Sequence, residues 1–486
     1  MPAVASVRLR LLLRAPPVLL LALASASVAW PRPARAGGPL GPDGSPIRTS
    51  RYAIDFYSGP VVSSERVIGL AGSFSAIAEG VDAVPINPAA AAVREPWSND
   101  WFDYDLTVGL ALPAAFWRSD VENLGARSED YRYDGYYVPS VGLVGRFGHT
   151  GLGLTLDDRR YTLSLTGSPG QATPQRFAAS LYSLHAVLAR AAWRGQVTVG
   201  VGLRLVGFSL SDESTKKTRL SLTGASAETG VLVAPTDHRF RIGLVGRLPV
   251  AATPIADSEI QPDAQGDIIG PGHFYLPRSV EVPWEAELSV AVELGERPFN
   301  PYWENPDEYS RPLRAEISRA RSLRQLQRVS PADEEDLRQE EEERLAEHEA
   351  DLRVRRDYAH RRMSRVRKLL TATVLVTGPV ADAVAPVSLL QQTVTRSGES
   401  VSVTARLGLE MEPIPDWLQM RLGTYLEPGR AAQSSARLHF TLGFDGKVFP
   451  WTVFGAYADD TWWSIGAVLD VADRYMNLAF RAGVWR

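Results

Sequence analysis

The stretch VTVGVGLRLVGF, residues 197–208, decides the fold. Val197, Val199, Val201, Leu203 and Leu205 fall on one face of a period-two ribbon, and Thr198, Gly200, Gly202 and Arg204 on the other. The same alternation returns in FRIGLVGRL (240–248), VSVTARLGLEM (401–411), RLHFTLGFD (437–445) and MNLAFRAGVW (476–485). Strict alternation puts one face in an apolar medium and the other in a polar one. Either a soluble sandwich or a membrane barrel satisfies that condition. Three features favour the barrel. The polar face mixes Gly with Arg, which suits a wet or filled lumen better than a sandwich rim. Aromatic residues gather near strand ends (Trp117, Trp193, Tyr425, Trp451, Tyr457, Trp462, Trp463, Tyr475, Trp485), as in interfacial girdles. The start of the chain reads as an export signal.

That start has a basic region at Arg8, Arg10 and Arg14, an apolar core at 18–24, and small residues for processing after Ala26, Ala29 or Ala36. Downstream, no apolar run reaches the ~18–20 residues of a spanning helix. The 486 residues carry a net charge of −4 and a pI near 6.1, which gives no support for nucleic-acid binding. The absence of Cys excludes a disulfide framework, a thiolate metal site and a thiol nucleophile. No phosphate-cradling loop or dinucleotide fingerprint is present, so no cofactor or metal is expected. Ser183 with His185, and Ser435 with His439, are the pairs on which a hydrolase would have to rest.

Candidate strands lie near 103–118, 138–147, 150–166, 176–193, 195–211, 219–235, 238–250, 280–295, 369–378, 400–412, 417–428, 434–446, 450–458, 461–471 and 474–485. Bacterial barrels favour even numbers, so one of these is split or spurious and about fourteen strands are expected. The fold class is therefore all-β: a transmembrane antiparallel β-barrel. Its lumen-facing polar residues include Arg204, Arg241, Arg247, Arg406, Glu410, Arg437, His439 and Arg481.

Two segments break the alternation. Residues 298–368 are densely charged. Ser330-Pro331, followed by Asp333 and Glu334, has the pattern of a capped helix start, with Arg361, Arg362, Arg365, Arg367 and Lys368 at the other end. A helical hairpin is expected, with Leu313, Ile317, Ala320 and Leu323 on one arm and Leu345, Leu352, Ala359 and Val366 on the other. It must stand outside the bilayer, either as a solvated excursion, the usual role of a charge run, or as a surface for a protein partner. The other segment is GSFSAIAEGVDAVPINPAAAAV, residues 72–93. Ser73 is placed to cap a short helix that Gly80 ends, and Asn87 to cap a second one with Pro88 in its first position. Small-faced turns just before the first strand suit a plug in a narrow lumen.

Ser75, Ala76, Ala78, Glu79, Gly80, Asn87, Pro88 and Ala89 resemble the N-terminal hatch of FadL-type outer-membrane transporters of long-chain fatty acids and other hydrophobic compounds. VPSVGLVGRFGHTGLGLTL, LPRSVEVP and RLGTYLEPGR are similar to that family's strand phrases. The resemblance implies a 14-stranded, non-enzymatic barrel that passes hydrophobic small molecules by diffusion, through hatch movement or a lateral gap. Ser75, Ala76, Glu79, Gly80, Asn87, Pro88 and Ala89 would form the hatch and gate. The implied partners are the ligand, outer-membrane lipid and the barrel-assembly machinery. The implied organisation is a signal peptide (1–36), hatch region (37–102), first barrel part (103–297), charged helical insertion (298–368) and second barrel part (369–486). The insertion and the terminal GVWR, which lacks a final aromatic, depart from the family pattern. A secretion-associated scaffold on the same architecture is the competing reading.

Overall fold

The structure, a computed structural model, describes residues 39–485 apart from 99, 114–118, 126–130, 166–174, 217, 253–262, 266, 271–273, 328–329, 432–433 and 453–460. The signal peptide, Trp117 and Tyr457 lie outside the described residues. Fourteen strands close into an antiparallel barrel. In chain order they are β1 (Phe102–Pro113), β2 (Tyr131–Phe147), β3 (Thr150–Leu165), β4 (Gln175–Ala192), β5 (Val197–Asp212), β6 (Thr218–Val233) and β7 (Phe240–Arg247). Then follow β8 (Glu285–Glu293), β9 (Lys368–Thr377), β10 (Ser402–Ile414), β11 (Leu418–Glu427), β12 (Arg437–Pro450), β13 (Trp462–Ala472) and β14 (Tyr475–Val484). Each strand pairs with its neighbour in sequence, and β14 returns to β1 with Leu110 opposite Phe480. Closure removes every sheet edge, so each strand can meet lipid with its backbone satisfied.

The outer surface is an apolar belt. Val201 is 54% exposed, Phe440 57% and Leu152 51%, while their sequence neighbours Thr198, Arg204, His439 and Thr441 are buried inside. Water would not tolerate so broad a continuous apolar face; hydrocarbon requires it. Trp101, Trp193, Trp417 and Trp451 are exposed at one end of the belt, an aromatic girdle. Tyr425 and Tyr475 do not belong to it: they are buried on the lumen side, because their parity follows the polar face and strand-end position alone does not decide exposure. Trp463 keeps the outward parity of Ile465 and is covered by Trp451, to whose carbonyl its Nε1 donates.

Three expected strands need correction. The segment near 450–458 is not an independent strand: Pro450 ends β12, and 453–460 lie outside the described residues. Residues 280–295 split at Pro283, which cannot donate to a ladder, into an inner strand (Ser279–Val282) and β8. The 238–250 strand stops before Pro249, and Val250–Ala252 turns inward. These inward pieces meet the start of the described chain. Ala53–Asp55 pairs in parallel with Ser279–Glu281 and with Ala383–Val384, while Val250–Ala252 pairs antiparallel with 280–282. The small sheet closes one mouth of the barrel.

At the opposite end four of the connections are short, Gly148–His149, 193–196, 234–239 and 415–417, beside a longer one at 451–461. Short turns mark the periplasmic end of such barrels. The insertion leaves from that same end as two helices, α2 (Pro306–Gln327) and α3 (Pro331–Arg362). The Ser330 hydroxyl accepts from the Asp333 amide, so the cap forms. Ile317 and Leu352 are buried in the seam, but Leu323 is 61% exposed. There the seam is continued by charge, with Arg321 and Arg324 both reaching Glu341.

Candidate functional site: a charged lattice around the lumenal segment

Residues 61–93 lie inside the barrel. They begin with a short helix, α1 (Glu65–Gly69), which the small-residue pattern further on did not signal. The helix expected from Ser73 does not form. Phe74–Ile77 makes a single turn instead, and the Ser73 hydroxyl shares hydrogen bonds with Thr371 (3.0 Å) and Thr373 (2.8 Å) on β9. A side chain engaged by the wall cannot also cap a backbone amide. The second expectation corresponds to a 3-10 turn, Pro88–Ala92. Its Asn87 carboxamide oxygen accepts from the Ala89 amide at 3.0 Å, and Nδ2 donates to the Ser75 carbonyl at 2.8 Å. Asn87 therefore ties the two turns of the segment together. Asn87→Ala is expected to cost about 1–2 kcal/mol, as cap losses do. Faster amide exchange across 73–92, with β5 and β6 unchanged, would show it.

Glycines let this segment approach the wall. A Cβ on Gly200 would collide with the Pro88 carbonyl and the Ala89 nitrogen, and one on Gly151 with the Ala91 carbonyl. Ser75, Ala76, Pro88 and Ala89 are all buried against this surface. Gly80 takes a φ of +72°, which lets the chain turn toward Asp105; the Asp105 carboxylate accepts from the Val81 amide.

Below the small-residue surface the contacts are ionic. Glu79 receives Arg66 and Arg367, each at 3.1 Å, and Arg241 at 3.0 Å. Arg66 and Arg367 also grip Glu410. Arg421 on β11 spans Glu65 of α1 (3.0 Å), Glu410 (2.8 Å) and Asp445 (2.7 Å). Arg481 holds Asp82 at 2.9 Å. Arg247 pairs with Glu285 at 3.1 Å and donates to the carbonyls of Pro85 and Ile86. Arg406 donates to the Gly72 carbonyl, and Arg204 to that of Leu248. Arg437 pairs with Glu427. His439 places Nδ1 2.9 Å from Asp470 and Nε2 2.8 Å from Glu427, so neither ring nitrogen is available to Ser435. His185 likewise gives Nδ1 to Glu228. The lattice holds a segment in place.

The eight polar wall residues named from the sequence thus all face inward. Glu65, Arg66, Asp82 and Arg421 were not singled out there, and Arg367 was expected at the end of the insertion helix, which stops at Arg362 and leaves Arg367 to reach Glu79 and Glu410. Arg421 was within reach of the period-two rule, since Gln419, Arg421, Gly423 and Tyr425 share the polar face of β11. The others lie outside regular strands, where no periodicity marks direction.

Under the lattice a cavity of about 490 Å³ opens at the short-turn end, lined among others by Arg94, Trp97, Arg297, His360 and Lys447. The roots of the insertion form its rim. Arg356 on α3 donates to the carbonyls of Ser98 and Glu304, and Trp303 Nε1 to that of Ser98 at 2.9 Å. Trp97 stacks on His360 at 5.4 Å. Burial, then Arg365 and Arg297, hold the His360 imidazole below its usual value, outweighing Asp416 and Asp357. Nε2 lies 3.3 Å from an Arg365 nitrogen, a contact that suits the neutral ring. A depressed histidine pKa means the undocked chain binds more protons just below pH ~6.5, so docking weakens as pH falls through that value. Amide exchange over 94–101 at pH 7.5 and 5.5 checks this, with faster exchange expected at 5.5.

The arrangement is one barrel, one internal segment and a polar seal. The chain is similar to a FadL homologue. That solved structure, from Pseudomonas aeruginosa, shares 12% identity, with 88% of this chain and 99% of that one covered and a TM-score of 0.45. The monoaromatic hydrocarbon channel CymD shares 9%, covering 88% and 97% (TM-score 0.44). The deltaS2S3 mutant of the monoaromatic hydrocarbon channel TodX shares 11%, covering 87% and 99% (TM-score 0.45). No family model matches the sequence, and no curated protein does.

Proposed function

We propose that this protein is an outer-membrane channel for passive uptake of hydrophobic small molecules such as long-chain fatty acids, with residues 61–93 as its hatch. The observation that carries the reading is how the lumen is sorted along its axis. Toward the sheet-closed mouth, the inward faces of β4, β5 and β6 carry Phe177, Phe208, Leu210, Leu220 and Leu222, all buried. Toward the short-turn end they give way to the Arg–Glu lattice. A water-filled porin keeps its lumen polar throughout; an apolar upper chamber suits an oily ligand. At present Leu40, Ile47, Tyr52 and Ile54 fill that chamber, with Phe56 4.9 Å from Phe208.

Ser75, Ala76, Glu79, Gly80, Asn87, Pro88 and Ala89 act here as the gate, since moving them opens the path from chamber to cavity. A lateral route is supported at β2. Pro139 has no N–H, and the paired rungs to β3 skip from Tyr137–Arg160 to Ser140–Asp157. Tyr136 and Val138 line the inner side of this seam. The chemistry asked of the chain is binding and release, without catalysis. Uptake of radiolabelled oleate by cells lacking their own channel tests the reading: expression should raise the rate, and an unchanged rate would reject it.

One observation favours a second reading, the scaffold. The hairpin presents most of its surface to solvent and buries only a narrow seam. Replacing residues 313–350 by a short Gly/Ser linker leaves Arg355 and Arg356 at the root. Uptake is expected to persist in that variant; loss of a co-purifying protein with no uptake in either form would favour the scaffold.

A further inference from the structure

The root of α3 carries an exposed surface that neither the hatch nor the hairpin seam uses. Val354 is 66% exposed and Tyr358 59%. They stand one helical turn apart, on the side roughly opposite Arg356 and His360, which face the cavity rim. Arg353, Arg361 and Arg362 flank them. Among the described residues none of these three makes an ion pair with a carboxylate; Arg362 donates to the Tyr358 hydroxyl and lies over its ring. By contrast Arg355 pairs with Asp351, and Arg321 and Arg324 with Glu341. The exposed strip then continues along the chain through Val366 and Lys368 to Leu370 of β9, which belongs to the lipid-facing belt. Leu294, exposed at the end of β8, lies beside it, its amide donating to the Lys368 carbonyl.

An apolar pair flanked by guanidinium groups that have no carboxylate partner, joined along the chain to a hydrocarbon-facing belt, has the chemistry of a bilayer-surface contact. The aliphatic and aromatic groups enter the interface while the cations meet anionic headgroups. We propose that the C-terminal turns of α3 form a binding surface for anionic phospholipid headgroups of the leaflet at the short-turn end. Because Arg356 and His360 on the opposite face hold the hatch exit at Ser98 and Trp97, this contact fixes the root against the membrane on one side and the hatch on the other. The proposal does not depend on what the channel carries.

The chain has no cysteine, so a single one can be placed and spin-labelled. Full-length Val354→Cys and, as a solvent reference farther out on α3, Glu347→Cys are reconstituted into phosphatidylcholine vesicles with or without phosphatidylglycerol. In vesicles with phosphatidylglycerol the label at 354 should lose access to a water-soluble relaxant and gain access to oxygen, while the label at 347 stays in water. Adding Arg353→Ala, Arg361→Ala and Arg362→Ala should abolish the protection, lowering the preference for anionic lipid roughly a hundredfold. Heat-dependent gel mobility confirms that each variant keeps its barrel. A label at 354 as water-accessible as that at 347 would overturn the proposal. So would equal protection in pure phosphatidylcholine, or protection that survives loss of the three arginines.

Discussion

Arg421→Met is expected to free the lumenal segment while leaving the barrel closed. The guanidinium is fully buried and serves four partners at once: Glu65, Glu410, Asp445 and Gln419. Taking it away leaves three carboxylates in a dry site with one countercharge fewer, and breaking a buried pair this way costs about 3–5 kcal/mol. The wall resists movement, because β11 is laddered on both sides and the pairing through Arg421 is continuous, with a register shift only at Met411–Ile414 near the strand end. The movable partner is Glu65, carried on a five-residue helix. The variant should therefore keep its heat-dependent gel mobility, show fast amide exchange over 61–93, and conduct ions in a planar bilayer where the parent is closed. Adding Glu65→Gln should recover part of the loss, since the two residues share one interaction. A silent bilayer with unchanged exchange would mean that the lattice does not hold the segment.

The second large effect is steric. Gly200→Val puts a side chain where the Pro88 carbonyl and Ala89 nitrogen now sit, and neither backbone atom can step aside without moving the whole 3-10 turn. Overpacking of this kind costs typically ~1–3 kcal/mol even where neighbours can shift, so the turn should leave its seat. Gly246→Val is the matched control. Gly246 alternates with the inward Arg241, Gly243 and Arg247 on β7, so it lies on the lipid side, where its nearest neighbour is a Thr229 methyl at 3.5 Å. Protease accessibility of 73–92 should rise in the first variant and stay flat in the second. If both behave alike, the wall glycines are not the seat of the plug.

The wall was legible in the sequence because lipid and lumen impose one rule on every strand, and Val201, Phe440 and Leu442 obey it as plainly as Arg204 and His439. The rule fails where the polypeptide leaves the wall. Nothing local distinguishes SVEV (279–282), which pairs inside the mouth, from EAELSVAVE (285–293), which spans, except the Pro283 between them. Ser73 looked like a cap because only its downstream neighbours were visible; Thr371 and Thr373, nearly three hundred residues later, claim its hydroxyl. Glu79 was named from a motif, but of its three guanidinium partners only Arg66 belongs to the same segment, while Arg241 and Arg367 come from distant parts of the chain. Ion pairs of this reach leave no periodic trace.

The small sheet at the mouth dictates a sequence of events during biogenesis. One of its two inner strands, 53–55, emerges early from synthesis, yet it is clasped by residues 279–281 and 383–384, which arrive far later. The segment that follows it is encircled by all fourteen staves. The clasp over the mouth can therefore close only once residue 384 has been made, so the earliest part of this thread waits on two much later parts of the chain for its partners.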